Sequence, residues 1–128
     1  MKTHYKAAMI LAAGIGVGAV AVEALHAQTK PPIYVIGEID VSNQEEYARE
    51  YVPKVRAVIK ASGGRAIAAT NKAMAIEGEA PKTRVTIQMW DSLDQYQAYR
   101  NSADYKEARK IGDKHAKFRS YVVEGVAQ

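Results

Sequence analysis

The sequence predicts an α+β domain in which helices cover one face of an antiparallel sheet. Two segments, residues 33–41 and 84–90, alternate their side chains with the period of two that a strand with two different faces requires. Each is followed by a stretch with apolar residues at helical spacing, and a further strand is predicted at residues 118–124. The resulting order βαββαβ, without long linkers, is typical of the ferredoxin-like fold.

The first 27 residues have the features of a secretory signal peptide. A basic start containing Lys2 and Lys6 precedes an apolar or glycine run at 7–22, and residues 24–27 are suitable for cleavage after Ala27. A retained membrane anchor is the alternative, but a run of 16 residues with three glycines is short of the roughly 20 that a spanning helix needs. There is no Arg-Arg pair or cysteine for other export or lipidation routes. The sequence therefore predicts a periplasmic or secreted protein that is not attached to the membrane after signal removal.

The composition of the remaining chain, residues 28–128, allows one domain and excludes several functions. Lys2, Lys6 and Glu23 leave with the signal, so 16 basic and 13 acidic residues remain. A net charge of +3, with basic and acidic residues mixed along the chain, does not indicate nucleic-acid binding. With no cysteine, the protein has no disulfide, no thiolate nucleophile and no Cys-based metal site.

The domain is predicted over residues 33–126, after a leader at 28–32 that two prolines keep extended. Its first strand places Tyr34, Ile36 and Glu38 on one face and mainly aliphatic residues on the other. The two faces therefore have different environments.

The first helix is predicted to follow Ser42 and to end at Gly63-Gly64. Ser42 precedes Glu45 by three residues, a spacing at which the two side chains cap each other's amides. Pro53 lies inside the helical pattern, so a kink or a restart is expected there.

The middle of the chain is predicted to contain two short strands, at residues 65–70 and 73–77, joined by a turn at Asn71-Lys72. Asp91-Ser92 begins a second helical region, which Asn101-Ser102 interrupts. The residues at buried-face spacing in this region are Leu93, Tyr96, Tyr99 or Arg100, Tyr105, Ala108, Ile111, Gly112 and His115.

The mature domain resembles the DUF1330 family from about residue 34 to residue 125. The family pattern combines an acidic residue in the first strand and a tyrosine-rich helix ending in Gly-Gly-Arg. A Glu-Gly before a Pro and an Arg, a further strand, and a later helix with Tyr, Ser and Tyr follow. The pattern corresponds here to Glu38, Tyr47, Gly63-Gly64-Arg65, Glu77-Gly78, Pro81, Arg84, Tyr99, Ser102 and Tyr105. Family members often have an Arg-Gly-Gly turn where this chain has Thr70-Asn71-Lys72. The resemblance implies a dimeric α+β barrel, in which the sheets of two copies meet face to face.

The candidate ligand site lies on the sheet face that the helices leave uncovered. Two helices cover one face only, so an apolar face carrying Tyr34, Ile36 and Trp90 indicates a homodimer. The first strand and strand 84–90 are expected to be adjacent and parallel, which would bring Glu38 near Arg84 and Gln88. The predicted ligand-binding residues are Tyr34, Glu38, Arg84, Gln88 and Trp90.

Each of these residues also has a structural interpretation. Glu38 with Arg84 is either a structural ion pair or a base with a carboxylate-binding partner. Trp90 is either a core or interface aromatic or a ligand-stacking residue. His115 is either a packed histidine near a helix end or an acid/base group, and with Glu38 it is a candidate catalytic residue.

Two classes of function remain after the motifs are considered. The mature chain has one histidine, no evident His–carboxylate cluster, and no GxSxG, Rossmann or Walker signature, so we expect neither a metal nor a cofactor. The first class is an exported dimer that binds a small aromatic or carboxylate-bearing molecule. The second, implied by likeness to the wider barrel class, is a cofactor-independent monooxygenase, isomerase or decarboxylase.

Overall fold

The computed structural model describes residues 30–128, so the predicted signal peptide and the start of the leader lie outside the described residues. The elements follow in the order β1 (Ile33–Val41), α1 (Gln44–Glu46), a π-helical turn (Tyr47–Tyr51), α2 (Val52–Ala61), β2 (Arg65–Thr70), β3 (Arg84–Trp90), α3 (Leu93–Asn101), α4 (Ala103–Asp113) and β4 (Ala116–Glu124). None of the helices in this part of the chain combines the length and the apolarity that crossing a membrane requires.

The sheet has the strand order β2-β3-β1-β4, and every neighbouring pair is antiparallel. This order, with the helices on one face, confirms the predicted ferredoxin-like α+β fold. The core between sheet and helices forms two clusters. One contains Ile33, Val35, Ile59, Trp90, Tyr99 and Tyr105, and the other contains Ile39, Val41, Tyr47, Tyr51, Ala108 and Ala116.

The expectation that β1 and β3 run parallel is wrong. The helical connection between β1 and β2 leaves these two strands running in the same direction, and β3 lies between them and is antiparallel to both. Ile39 is paired with Arg84, and Glu38 is paired with Val85. Because residues directly opposite each other share a face, Arg84 lies on the helix-covered face while Glu38 lies on the open one.

Trp90 is a core residue and does not lie on the open face, as the sequence analysis assumed. It is paired with Ile33 and is 1% exposed. Its ring packs against that of Tyr99, with 4.7 Å between centroids. The face that the helices leave open instead carries Tyr34 and Ile36 from β1, as predicted, with Ile87 opposite Ile36.

The N-cap of the first helical region stands one residue after Ser42, the predicted cap. Asn43 Oδ1 accepts a hydrogen bond from the Glu46 amide at 3.1 Å, so Asn43 is the N-cap. Ser42 instead donates its hydroxyl to the carbonyl oxygen of His115. The expected restart near Pro53 is confirmed, because α2 begins at Val52, directly after the π-helical turn.

Two other local predictions are wrong. Residues 73–77 form no strand, because β2 pairs directly with β3 and residues 71–83 connect them. Leu93, expected on the buried side, is exposed at the start of α3. The predicted interruption near Ser102 is confirmed, since its hydroxyl accepts from the Tyr105 amide and begins α4.

Candidate functional site

A cavity of about 90 Å³ lies between the helices and the covered face of the sheet. All four strands of the sheet contribute to its floor, and the π-helical turn, α2, α3 and α4 supply the opposite wall. Its apolar lining includes Val35, Ile39, Val55, Ile59, Ala66 and Phe118. A partly enclosed, largely apolar hollow with a few polar groups is the usual form of a small-molecule site.

Three half-buried arginines line this cavity from three different elements: Arg84 in β3, Arg100 in α3 and Arg109 in α4. Arg109 has a counterion, because its Nε donates to Asp113 Oδ1 at 2.7 Å. Within residues 30–128, neither Arg84 nor Arg100 forms a salt bridge. No carboxylate is found among the described residues that line the cavity, so its side chains carry an excess of positive charge.

Neighbouring side chains hold the arginine head groups in place. Arg84 Nη1 donates to Asn71 Oδ1 at 3.0 Å. The Arg100 guanidinium lies 4.9 Å from the ring centroid of Tyr105, and the Arg109 guanidinium lies 3.8 Å from the ring centroid of Phe118. Cation–π contacts stabilise a charge without neutralising it. The cations are therefore positioned before a ligand arrives.

Tyrosine hydroxyls are further polar groups of the cavity, besides the side chains of Thr86, Gln88 and Ser120. Burial raises the pKa of Tyr47 to about 12, although the nearby Arg84 and Arg109 act in the opposite direction. Burial also raises the pKa of Tyr51 and of Tyr96. These hydroxyls stay protonated at neutral pH, so they can donate hydrogen bonds but cannot act as bases.

The predicted ligand-binding residues are divided between the two faces of the sheet. Arg84 and Gln88 line the cavity, where Gln88 Oε1 accepts from Trp90 Nε1 at 3.0 Å. Glu38 lies on the open face and forms its ion pair with Arg119 of β4, so the expected pairing with Arg84 is wrong. Tyr34 shares that open face.

The sequence analysis did not identify Arg100 and Arg109 as site residues. Each stands four residues after a tyrosine at buried-face spacing. Arg100 Nη1 donates to the Tyr96 hydroxyl at 3.5 Å, and Arg109 Nη1 donates to the Tyr105 hydroxyl at 2.8 Å. An arginine at buried-face spacing on a helix is a signal that could have indicated them.

His115 is not among the cavity-lining residues. Its Nε2 lies 3.3 Å from Glu50 Oε2, and Glu46 is close to both. The expectation that no histidine–carboxylate cluster is present is therefore wrong. The helix-turn spacing of the two glutamates was visible in the sequence, but their approach to His115, 65 residues beyond Glu50, depends on the fold.

Comparison with known proteins identifies similar sequences and folds. The model of the domain of unknown function DUF1330 matches residues 32–126. The RPA0582 protein of unknown function from Rhodopseudomonas palustris is 15% identical, with a TM-score of 0.61 over 82% of this chain and 94% of that one. No curated protein matches the sequence significantly.

Two further solved structures share the fold. SnoaB, a cofactor-independent oxygenase from Streptomyces nogalater, is 10% identical, with a TM-score of 0.57 over 77% of this chain and 96% of that one. A dimeric protein of unknown function with a ferredoxin-like fold from Bacteroides fragilis is 18% identical, with a TM-score of 0.50 over 73% and 95% of the two chains. Identities this low show likeness of fold alone.

Proposed function

The chain belongs to the DUF1330 family, and from this premise we propose that it is an exported dimer that binds a small organic anion with an apolar or aromatic body. The observation that carries the proposal is the placement of Arg84 and Arg100 in a cavity with apolar walls, where neither has a carboxylate partner among residues 30–128. A ligand carboxylate would supply the missing counterion.

The energetics favour an anion over a neutral ligand. A hydrogen bond to a charged group contributes about 1.5–3 kcal/mol, and a carboxylate can accept two from one guanidinium. The protonated hydroxyl of Tyr47 adds a donor beside Arg84. A cavity of about 90 Å³ is smaller than the roughly 150 Å³ that holds a benzene ring, so a ring-bearing acid would fill it and extend through its open side.

A second candidate function for the same cavity is that of a cofactor-independent enzyme. It is suggested by the similar fold of SnoaB, which is described as a cofactor-independent oxygenase. The described lining residues include no carboxylate and no imidazole to act as a base. A reaction here would depend on arginines and tyrosine hydroxyls that stabilise an anion formed on the substrate itself. This requirement makes binding the better-supported function.

The experiment begins with mass spectrometry of protein purified natively, to recover a bound metabolite. Calorimetric titration with benzoate and with benzamide, its neutral analogue, then tests charge recognition. Arg84→Met and Arg100→Met should each weaken benzoate binding by at least about tenfold. The control Lys110→Met removes an exposed positive charge that is paired with Glu107 outside the cavity, and it should leave binding unchanged. Equal affinity for the two probes, or equal affinity in all variants, would overturn the proposal.

Two further measurements separate the enzyme from the binder and test export. Ligand-dependent oxygen consumption or product formation, lost in Arg84→Met, would establish the enzyme. Mass analysis of protein from its native host should find Gln28 at the mature N-terminus, because the basic start, apolar run and small residues at 24–27 favour cleavage there. A full-length form attached to the membrane would contradict export with cleavage.

A further inference from the structure

Three potential metal ligands meet where the π-helical turn begins and α4 ends. Glu46 precedes that turn, Glu50 belongs to it and His115 follows α4. One ligand atom from each lies within 4.8 Å of the other two. The side chains are 32%, 36% and 16% exposed, respectively, so an ion can reach them from solvent.

The distances suit a first-row divalent ion. Tetrahedral zinc, with bonds of about 2.0–2.2 Å, holds its ligand atoms about 3.4 Å apart. His115 Nε2 and Glu50 Oε2 already have a separation of 3.3 Å. Closing the remaining distance to Glu46 needs only side-chain rotation, because Glu46 and Glu50 are neighbours on one helical face.

The histidine is held in position independently of the glutamates. Its carbonyl oxygen accepts from the Ser42 amide at 2.8 Å and from the Ser42 hydroxyl at 2.9 Å. Its amide donates to the Gly112 carbonyl at 3.0 Å. A ligand whose backbone is fixed in this way loses little conformational entropy on binding.

Arg49 is the competitor for this cluster. Its Nη2 forms ion pairs with both Glu46 and Glu50. The arginine side chain is 65% exposed, and exposed ion pairs contribute only about 0–1 kcal/mol. A divalent ion with an imidazole ligand can therefore displace it at low cost.

We propose that Glu46, Glu50 and His115 bind a divalent transition-metal ion of the Zn²⁺ type, at a site distinct from the arginine-lined cavity. One imidazole nitrogen and two carboxylate oxygens suit Zn²⁺, and three protein ligands leave a fourth position for water. Mg²⁺ prefers an octahedral set of oxygens and should bind poorly. Bound metal would connect the π-helical turn to the end of α4 and stabilise the domain by mass action.

The test uses untagged protein that has been treated with a chelator, because a polyhistidine tag would itself bind zinc. Calorimetry should show one Zn²⁺ per chain, with a rise in melting temperature, and no comparable effect of Mg²⁺. His115→Gln and Glu50→Gln should each weaken Zn²⁺ binding by at least about tenfold. Glu107→Gln, which alters an exposed glutamate paired with Lys110, is the control and should bind as wild type does.

Arg49→Gln distinguishes the metal site from an ion-pair network. If the cluster binds metal, removing the competing cation should strengthen Zn²⁺ binding. An ion-pair network alone predicts a lower melting temperature and no change in zinc affinity, which would overturn the proposal. So would equal zinc affinity in wild type and His115→Gln, or no zinc binding by the wild type. Far-UV circular dichroism checks the fold, and Glu46→Gln provides the same comparison if His115→Gln does not fold.

Discussion

Burial disfavours the charged form both of Arg109 and of the tyrosines that line the cavity. It opposes the charge of Arg109, but hydrogen bonds to Asp113 and Tyr105 outweigh it, so the pKa of Arg109 is raised and the residue stays charged. For Tyr47 and Tyr51, burial raises the pKa and keeps the hydroxyl neutral. At neutral pH the cavity therefore offers cations and hydrogen-bond donors together, a combination that favours anions.

Tyr47 should make the protein sensitive to alkaline pH. Its pKa in the folded state is about 12, against 10.0 ordinarily, so the folded protein holds a proton that the unfolded chain loses. The stability linked to Tyr47 is complete below pH 10 and is lost as the pH rises towards 12. One such proton changes the free energy of unfolding by about 1.4 kcal/mol per pH unit.

In Tyr47→Phe, the free energy of unfolding should therefore fall less steeply with rising pH, by the contribution of about one proton. The contributions of Tyr51, Tyr96 and Tyr99 persist, because burial also raises the pKa of each. Urea unfolding at intervals from pH 8 to the alkaline limit measures this slope. An unchanged slope in the variant would show that Tyr47 ionises equally well in both states.

Helical spacing predicted the inward side of the second helical region. Tyr99 and Tyr105 are core residues, whereas Tyr96, predicted by the same spacing, is half-buried and packs against the core. The partners of Arg84 and Glu38 could not be predicted in the same way. They depend on which residues stand opposite each other on neighbouring strands, and a single strand's pattern does not contain that information.

At the scale of elements, the side-chain pattern of β3 explains why the sequence analysis placed Trp90 on the wrong face of the sheet. Its alternation predicts two sets of side chains, but Val85, Ile87 and Met89 are apolar on one face while Trp90 is apolar on the other. Both faces could therefore have been the buried one. The antiparallel pairing with β1 decides between them, placing Trp90 under the helices and leaving Ile87 on the open face.

The contact between Gly64, at the end of the first helical region, and Trp90 gives a test at this scale. A Cβ on Gly64 would lie 2.5–2.7 Å from three atoms of the Trp90 ring, which is held in the core. Gly64→Ala should therefore destabilise the protein by about 1–3 kcal/mol. The same substitution in a Trp90→Phe background should cost clearly less, because the six-membered part of the indole is gone.

This double-mutant cycle is measured by denaturant unfolding of the four proteins. A coupling of at least about 0.5 kcal/mol is expected for residues in direct contact. Additive effects of the two substitutions would contradict the close packing of α2, β2 and β3 around the indole.

At the scale of the whole molecule, the sheet has one face that no described helix covers. Tyr34 and Ile36 of β1 are flanked there by Ile87 of β3 and by Tyr121 and Val123 of β4. Glu38 and Arg119 form an ion pair on the same face. A continuous apolar area of this kind is costly to leave in water. This uncovered apolar area is the physical basis of the proposed homodimer, in which the sheets of two copies would cover each other.

Val122 and Val123 allow this proposed dimer to be tested with a matched pair. They are neighbours in β4 with similar exposure, 40% and 45%, but Val123 stands opposite Tyr34 and Val122 opposite Val35. A glutamate at either position can reach water in the single protomer. Only at 123 would it enter a sheet-to-sheet interface, where burying an unpaired charge costs several kcal/mol.

Val123→Glu should therefore give monomers in sedimentation velocity at concentrations where wild type and Val122→Glu remain dimeric. Trp90 is unsuitable for this purpose, because its substitution by glutamate would place a charge in the core and unfold the domain. Circular dichroism of Val123→Glu should show an intact fold, so that a loss of mass reports the interface. If both valine variants keep the wild-type mass, two copies do not pair through this face, and another surface must cover Tyr34 and Ile36.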